Sequence, residues 1–175
     1  MPDAHAADHA IRFDRIRVRR AERAVIYFDT SYVIKCYLNE AGSAEVRRLA
    51  ESANGIGCCL HGRLEFWTAV KRNVREKLIT SSEADATFQR LVEDETAGVW
   101  HWFPVQPEMI ELACRRVASA ADSIFLRAAD ALHLACAEEH GFTDFFTHDR
   151  HLLAAAPVFG IAAKDVIVAS SVHNP

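Results

Sequence analysis

The stretch Ala24-Val-Ile-Tyr-Phe-Asp-Thr-Ser-Tyr-Val-Ile-Lys-Cys-Tyr-Leu38 decides the fold. Its apolar run, Val25 to Phe28, stops at Asp29, and an amphipathic segment follows. The run reads as a buried strand whose carboxyl end delivers an acid, with Thr30 or Ser31 able to cap the next helix. In open α/β sheets that edge collects ligands and chemistry. The remaining sequence therefore has to be searched for other acids that arrive at the same edge.

Outward from this stretch, short apolar runs alternate with helical periods. A helix is expected over 30–38 and another over 43–51, then a strand over 56–60. Residues 63–78 carry Leu64, Trp67, Val70, Val74 and Leu78 at helical spacing, which predicts a core-facing stripe with Glu65 beside it. Lys71, Arg72, Arg75 and Lys77 make this helix the basic part of the body. A helix over 81–96 would fold back on it as an antiparallel hairpin. A strand follows over 99–103, then helices over 107–121 and 124–140, a strand over 143–147, a short helix over 150–156 and a last strand over 166–169. Strands alternating with helical crossovers argue a parallel sheet covered on both faces. No internal repeat or long linker is present, and 175 residues suffice for one domain.

Composition narrows the function. The chain is 50% hydrophobic and 25% charged, with a net charge of −4. The first 23 residues carry +2, through Arg12, Arg15, Arg17, Arg19, Arg20 and Arg23, and the remainder carries −6. Bulk charge therefore cannot grip a nucleic acid, which would need local basic patches or a bound metal. Residues 1–23 read as a flexible basic leader or an over-extended start, and alternatively as an arm that touches RNA or a partner. Five cysteines, an odd count without a Cys-x-x-Cys, read as reduced core residues of a cytoplasmic protein. No run approaches a membrane span, and the N-terminus lacks the apolar core of a signal peptide.

Four acids occupy comparable places. Asp29 and Asp149 each follow a strand. Asp130 lies in or near the first turn of a mostly apolar helix, and Glu65 lies early in the helix after strand two. If strands one and four are neighbours, all four can face one crevice. Clustered carboxylates repel one another, and a hard divalent cation such as Mg²⁺ or Mn²⁺ resolves the repulsion. Such a site suits phosphodiester hydrolysis, because the metal lowers the pKa of an attacking water and offsets charge on the transition state.

Each acid also has a plainer reading. Asp29 or Asp149 can be a helix cap, and Glu65 an exposed helix residue. Asp130 is harder to dismiss, since a buried unpaired carboxylate is costly. His133 can be a ligand or proton carrier, but a packed, hydrogen-bonded histidine is the plainer reading. His148-Asp149 suggests an HD-type phosphohydrolase, yet the dipeptide follows a strand rather than sitting on a helix. A haloacid-dehalogenase-like phosphatase would want an acid two residues after Asp29, where Ser31 stands. Trp100, Trp102 and Phe103 can stack on bases, but alternate strand residues more often face a core.

Phe28-Asp-Thr-Ser31, the helix bearing Glu65, Leu126-Arg-Ala-Ala-Asp-Ala-Leu-His-Leu-Ala135 and Phe146-Thr-His-Asp-Arg-His-Leu152 resemble the successive motifs of PIN-domain nucleases. The likeness is strongest to VapC-type toxins of bacterial toxin–antitoxin pairs and spans about residues 24–169. It implies a three-layer α/β/α PIN-like domain, assigned to residues 24–175, around a parallel sheet of four to five strands. It also implies Mg²⁺- or Mn²⁺-dependent endoribonuclease activity, inhibition by a cognate antitoxin, and a homodimer. On the matching positions, Asp29, Asp130 and Asp149 would be metal-binding aspartates and Glu65 the motif glutamate. Thr147, with Thr30, would orient these ligands. Arg72 and Arg75 are the candidates for RNA phosphate contacts. The alternative is a PIN protein without a toxin role, either an RNA-processing nuclease or a non-catalytic scaffold.

Overall fold

Val25–Phe28 form β1, the middle strand of the sheet, and the alternation of their side chains divides the core. Ile26 and Phe28 pack on one face and Tyr27 on the other, as the two-residue period of a strand requires. The structure is a computed structural model that describes residues 25–167. The basic leader lies outside the described residues, as do the last two positions of the strand expected at 166–169.

The elements follow in order: α1 (Thr30–Tyr37), α2 (Ser43–Ser52), β2 (Gly55–Cys59), α3 (Leu60–Arg75), α4 (Ser81–Thr96), β3 (Trp100–Phe103), α5 (Pro107–Ser119), α6 (Ala128–Glu139), β4 (Asp144–Phe146), α7 (Arg150–Ala155) and β5 (Ala162–Lys164). The sheet has five strands in the order β3-β2-β1-β4-β5, every neighbouring pair parallel. Tyr27 pairs with Phe145 and Phe28 with Phe146, so strands one and four are neighbours.

One face of the sheet is covered by a cluster that includes Tyr32 and Val33 of α1, Phe66 and Val70 of α3, and Phe88 and Leu91 of α4. The other face carries Met109 of α5, Leu134 and Cys136 of α6, and Leu152 of α7. This is the expected three-layer α/β/α arrangement. The α3–α4 hairpin is antiparallel: Arg63 pairs with Glu95, and Trp67 stacks on Phe88 with ring centroids 3.9 Å apart. No helix among the described residues is long and apolar enough to cross a membrane.

Several expectations are corrected. Leu64 and Leu78 do not face the core; they are 68% and 67% exposed. The buried stripe of α3 is Gly62, Phe66, Ala69 and Val70. The helix also begins at Leu60, three residues before the expected start, because Gly62 does not break it. A Cβ on Gly62 would lie 2.8 Å from Cys58 Sγ, 2.9 Å from Thr30 Oγ1 and 3.0 Å from His133 Cε1. The glycine is there for close approach rather than for a turn. Helix α6 starts at Ala128 rather than 124, leaving Asp130 in its first turn. The last strand is Ala162–Lys164, and Val166 and Ile167 lie past its end. Cys58, Cys59 and Cys136 are buried as expected, but Cys114 is exposed, and all five cysteines are free.

Candidate functional site

The β1–β4 register generates the site. Because Phe28 and Phe146 are partners, the residues after them, Asp29 and Thr147, arrive side by side. Thr147 Oγ1 donates to Asp29 Oδ2 at 2.6 Å and accepts the backbone N–H of Asp149 at 2.9 Å. Thr147 is fully buried, so its hydroxyl welds the two strand ends together. Asp29 itself, not Thr30 or Ser31, caps α1: Oδ1 accepts the Tyr32 N–H at 3.0 Å. Ser31 Oγ donates to the same carboxylate at 2.7 Å. Asp149 likewise caps α7 by accepting the His151 N–H at 2.7 Å. The capping reading thus holds for both aspartates, alongside their shared position at the sheet edge.

The three aspartates are unequally buried: Asp29 is dry, while Asp130 and Asp149 are half-buried. Asp29 is only 3% exposed. Burial pushes its pKa up, against the opposing pull of His133, Thr147, Ser31 and the Tyr32 N–H. Asp130 is also shifted up, first by burial and further by the Asp149 charge, while the Arg127 N–H bond to its Oδ2 works the other way. Helix α6 leads into β4 and so runs back against the strands. Its first turn, carrying Asp130, therefore lies toward the carboxyl edge of the sheet, where Asp29 and Asp149 are.

Glu65 joins by a different route. Thr30 Oγ1 donates to Glu65 Oε2 at 2.5 Å and lies 3.0 Å from His133 Nε2. His133 Nε2 is 3.3 Å from the same carboxylate oxygen, and His61 Nε2 is 3.6 Å from it. Burial alone would raise Glu65, but His133, Thr30 and His61 outweigh it and hold the carboxyl at about 2. Glu65 is thus linked to Asp29 through the adjacent Thr30 and faces histidines. Arg72 and Arg75 are exposed on the later turns of α3. Seven residues separate Glu65 from Arg72, a rise of about 10 Å along the helix.

Sequence reasoning passed over several residues at this edge. His61 falls one turn before Glu65 on α3, an i, i+4 spacing hidden by starting the helix at 63. His133 is packed and hydrogen-bonded, as the plainer reading held: Nδ1 lies 3.0 Å from Tyr27 Oη. That phenol oxygen also accepts the Cys59 N–H at 2.9 Å. Asp165, just after β5, accepts from Tyr32 Oη at 2.7 Å and lies 2.8 Å from His148 Nδ1. No sequence pattern signals it, because its position depends on the β4–β5 pairing.

Comparison with known proteins agrees with this geometry. A family model described as the PIN domain matches residues 26–157. The Mycobacterium tuberculosis toxin VapC20, described as cleaving the sarcin–ricin loop, superposes with a TM-score of 0.60 at 20% identity over 74% of this chain and 94% of that one. FitAB bound to a DNA fragment gives 0.61 at 14% identity, covering 85% of this chain and 100% of that one. VapBC2 of Rickettsia felis, bound to a promoter DNA fragment, gives 0.56 at 9% identity, covering 81% and 98%. At these identities the likeness is one of fold. Among curated proteins no sequence match is found.

Proposed function

The chain belongs to the PIN-domain family, and from that premise we propose that it is a Mg²⁺- or Mn²⁺-dependent endoribonuclease acting as the toxin of a toxin–antitoxin pair. One observation carries this reading. The Thr147 bridge joins Asp29 to the loop of Asp149, and Asp130 feels the Asp149 charge. Carboxylates gathered at one sheet edge suit a hard cation. The donors are of the right chemistry, and Asp29, Asp130 and Asp149 would hold the ion with Glu65 beside them, although the ligand atoms of the three aspartates do not lie within 4.8 Å of one another and would have to draw together on it. When bound, the cation offsets phosphate charge and makes water more acidic.

The chain's own residues supply positioning. Ser31, Thr147 and the Tyr32 N–H fix both oxygens of Asp29. Thr30 and His133 orient Glu65. Arg72 and Arg75 offer phosphate contacts along the α3 surface. VapBC2 and FitAB are described with DNA fragments, and their resemblance supports an antitoxin partner here. A homodimer in the cytoplasm completes the reading.

Asp29→Asn tests it. The amide keeps the shape of the side chain and can still accept the Tyr32 N–H. It leaves the Thr147 hydroxyl without an acceptor, an expected cost of about 1–3 kcal/mol, partly offset by removing a buried charge. The variant should therefore fold and should fail to cleave RNA in added Mn²⁺. Equal cleavage by wild type and variant sinks the nuclease reading. Wild-type expression without growth arrest removes the toxin role alone.

A further inference from the structure

Among the described residues, one group of three combines histidine and carboxylate ligand atoms within 4.8 Å of one another: His61, Glu65 and His133. We propose that these three residues bind a single first-row transition-metal cation such as Zn²⁺ or Co²⁺, in preference to Mg²⁺. Two imidazoles and one carboxylate form a donor set for nitrogen-preferring metals, whereas Mg²⁺ wants oxygen alone.

The geometry is already assembled. His61 and Glu65 share a face of α3 at i, i+4, and His133 enters from α6. The ring centroids of the histidines are 4.2 Å apart. The Glu65 oxygen lies 3.6 Å from His61 Nε2 and 3.3 Å from His133 Nε2. Metal–ligand bonds of about 2.0–2.1 Å place tetrahedral neighbours about 3.3 Å apart. Both ring nitrogens of His61 are buried and neither makes a well-formed hydrogen bond, although Cys59 and the Glu65 carboxylate lie against the ring. A buried imidazole with no well-formed hydrogen bond calls for an explanation, and a cation on Nε2 supplies one.

The surroundings of His133 agree. Tyr27 Oη already accepts the Cys59 N–H, so it can also accept an Nδ1–H from His133. In the metal-free network Thr30 Oγ1, whose hydrogen goes to Glu65, accepts from His133 Nε2; metal binding moves the ring hydrogen to Nδ1, where Tyr27 Oη is the outer partner typical of a metal-bound histidine. The cation then takes the place of that hydrogen between Nε2 and the Glu65 oxygen 3.3 Å away. Thr30 Oγ1 bonds the same Glu65 oxygen, which holds the carboxylate in place. The site shares Glu65 with the proposed nuclease centre but none of Asp29, Asp130 and Asp149, and the inference does not rest on the ribonuclease reading.

Metal binding without RNA tests the idea. The full chain is stripped with a chelator and titrated with Co²⁺ while its visible d–d absorption is followed. Mg²⁺ is offered as competitor, and thermal unfolding is recorded in parallel. One Co²⁺ per chain should carry the intense spectrum of low coordination and should resist Mg²⁺, and its binding should raise the melting temperature; a second, carboxylate-bound Co²⁺ would be displaced by Mg²⁺. His61→Ala and His133→Ala should weaken binding by more than about tenfold. Asp149→Asn should leave it intact. Because His133 is buried, its variant tests the fold together with the site, and His61→Ala with a native circular-dichroism spectrum decides. His61→Asp, which restores a donor, should recover part of the affinity. Co²⁺ bound no more tightly than Mg²⁺, or equally by His61→Ala, overturns the proposal and leaves a proton-bridged histidine pair only. A protein that cleaves RNA with Mg²⁺ but fails this titration refutes the inference while sparing the nuclease reading.

Discussion

Gly62→Ala sets two magnitudes against each other. In an exposed helix the exchange would add stability, since alanine is favoured over glycine by about 0.5–1 kcal/mol. Here the new methyl would lie 2.8 Å from Cys58 Sγ, 2.9 Å from Thr30 Oγ1 and 3.0 Å from His133 Cε1. None of the three can yield alone. Cys58 is fully buried, Thr30 Oγ1 is bonded to Glu65, and His133 lies against both Thr30 and Tyr27. Overpacking a close-fitted core costs about 1–3 kcal/mol. The clash wins, and the expected net loss is about 0.5–2 kcal/mol. Urea unfolding measures it as a lower midpoint at unchanged slope. Because Thr30 and His133 must move, the contacts holding Glu65 should loosen as well. A Gly62→Ala variant as stable as the wild type, or more so, would refute the claim that this glycine exists for close approach.

Other variants probe the same edge. Tyr27→Phe strands the buried Cys59 N–H and leaves His133 Nδ1 without its partner; each orphan costs about 1–3 kcal/mol, and an unchanged unfolding midpoint would contradict the network. Glu65 has a folded pKa of about 2 against an ordinary 4.5. Its contribution is therefore present above pH 4.5 and lost as pH falls toward 2. Glu65→Gln should flatten that part of the melting-temperature profile, and a profile parallel to wild type would count against the ion pair. Arg72→Ala and Arg75→Ala should each weaken RNA binding across sequences and lower the salt slope by roughly one. A slope unchanged in both would remove them from the RNA path.

The sheet was readable where burial shaped the residue choice. Val25–Phe28 reads as a strand because a central strand is covered on both faces, so apolar residues occupy both sides. Strand β5 was misplaced for the opposite reason. Ala162–Lys164 is an edge strand with two exposed residues and none that is fully buried, so burial leaves little mark on its sequence. Of the stripe expected on α3, Val70 is buried and Trp67 and Val74 pack against the core, while Leu64 and Leu78 are exposed; counting hydrophobic residues missed Gly62, Phe66 and Ala69. The core face of α3 uses Gly62 and Ala69 to come close to the sheet, while Leu64 points outward. The same error hid His61, since a helix begun at Arg63 has no residue one turn before Glu65. Asp29 and Asp149 stand out in the sequence as acids just after apolar runs, and Asp130 as an acid in the first turn of a mostly apolar helix. What brings Thr147 against Asp29 is the β1–β4 register, which no local pattern encodes.

The Thr147 hydroxyl gives the two strand ends a polarity. It has one hydrogen, committed to Asp29, and it receives one, from the Asp149 amide. The bonds therefore run in a single sense, from the α7 loop toward β1, and each group can fill only one role. Serine could replace Thr147 and keep that sense, whereas valine, with nearly the same shape, would break both bonds. At position 29 the tolerated groups are those that accept. Sequence drift at this edge is thus limited by the direction of hydrogen bonding as well as by size or charge, and a change at one strand's end restricts what the other can hold.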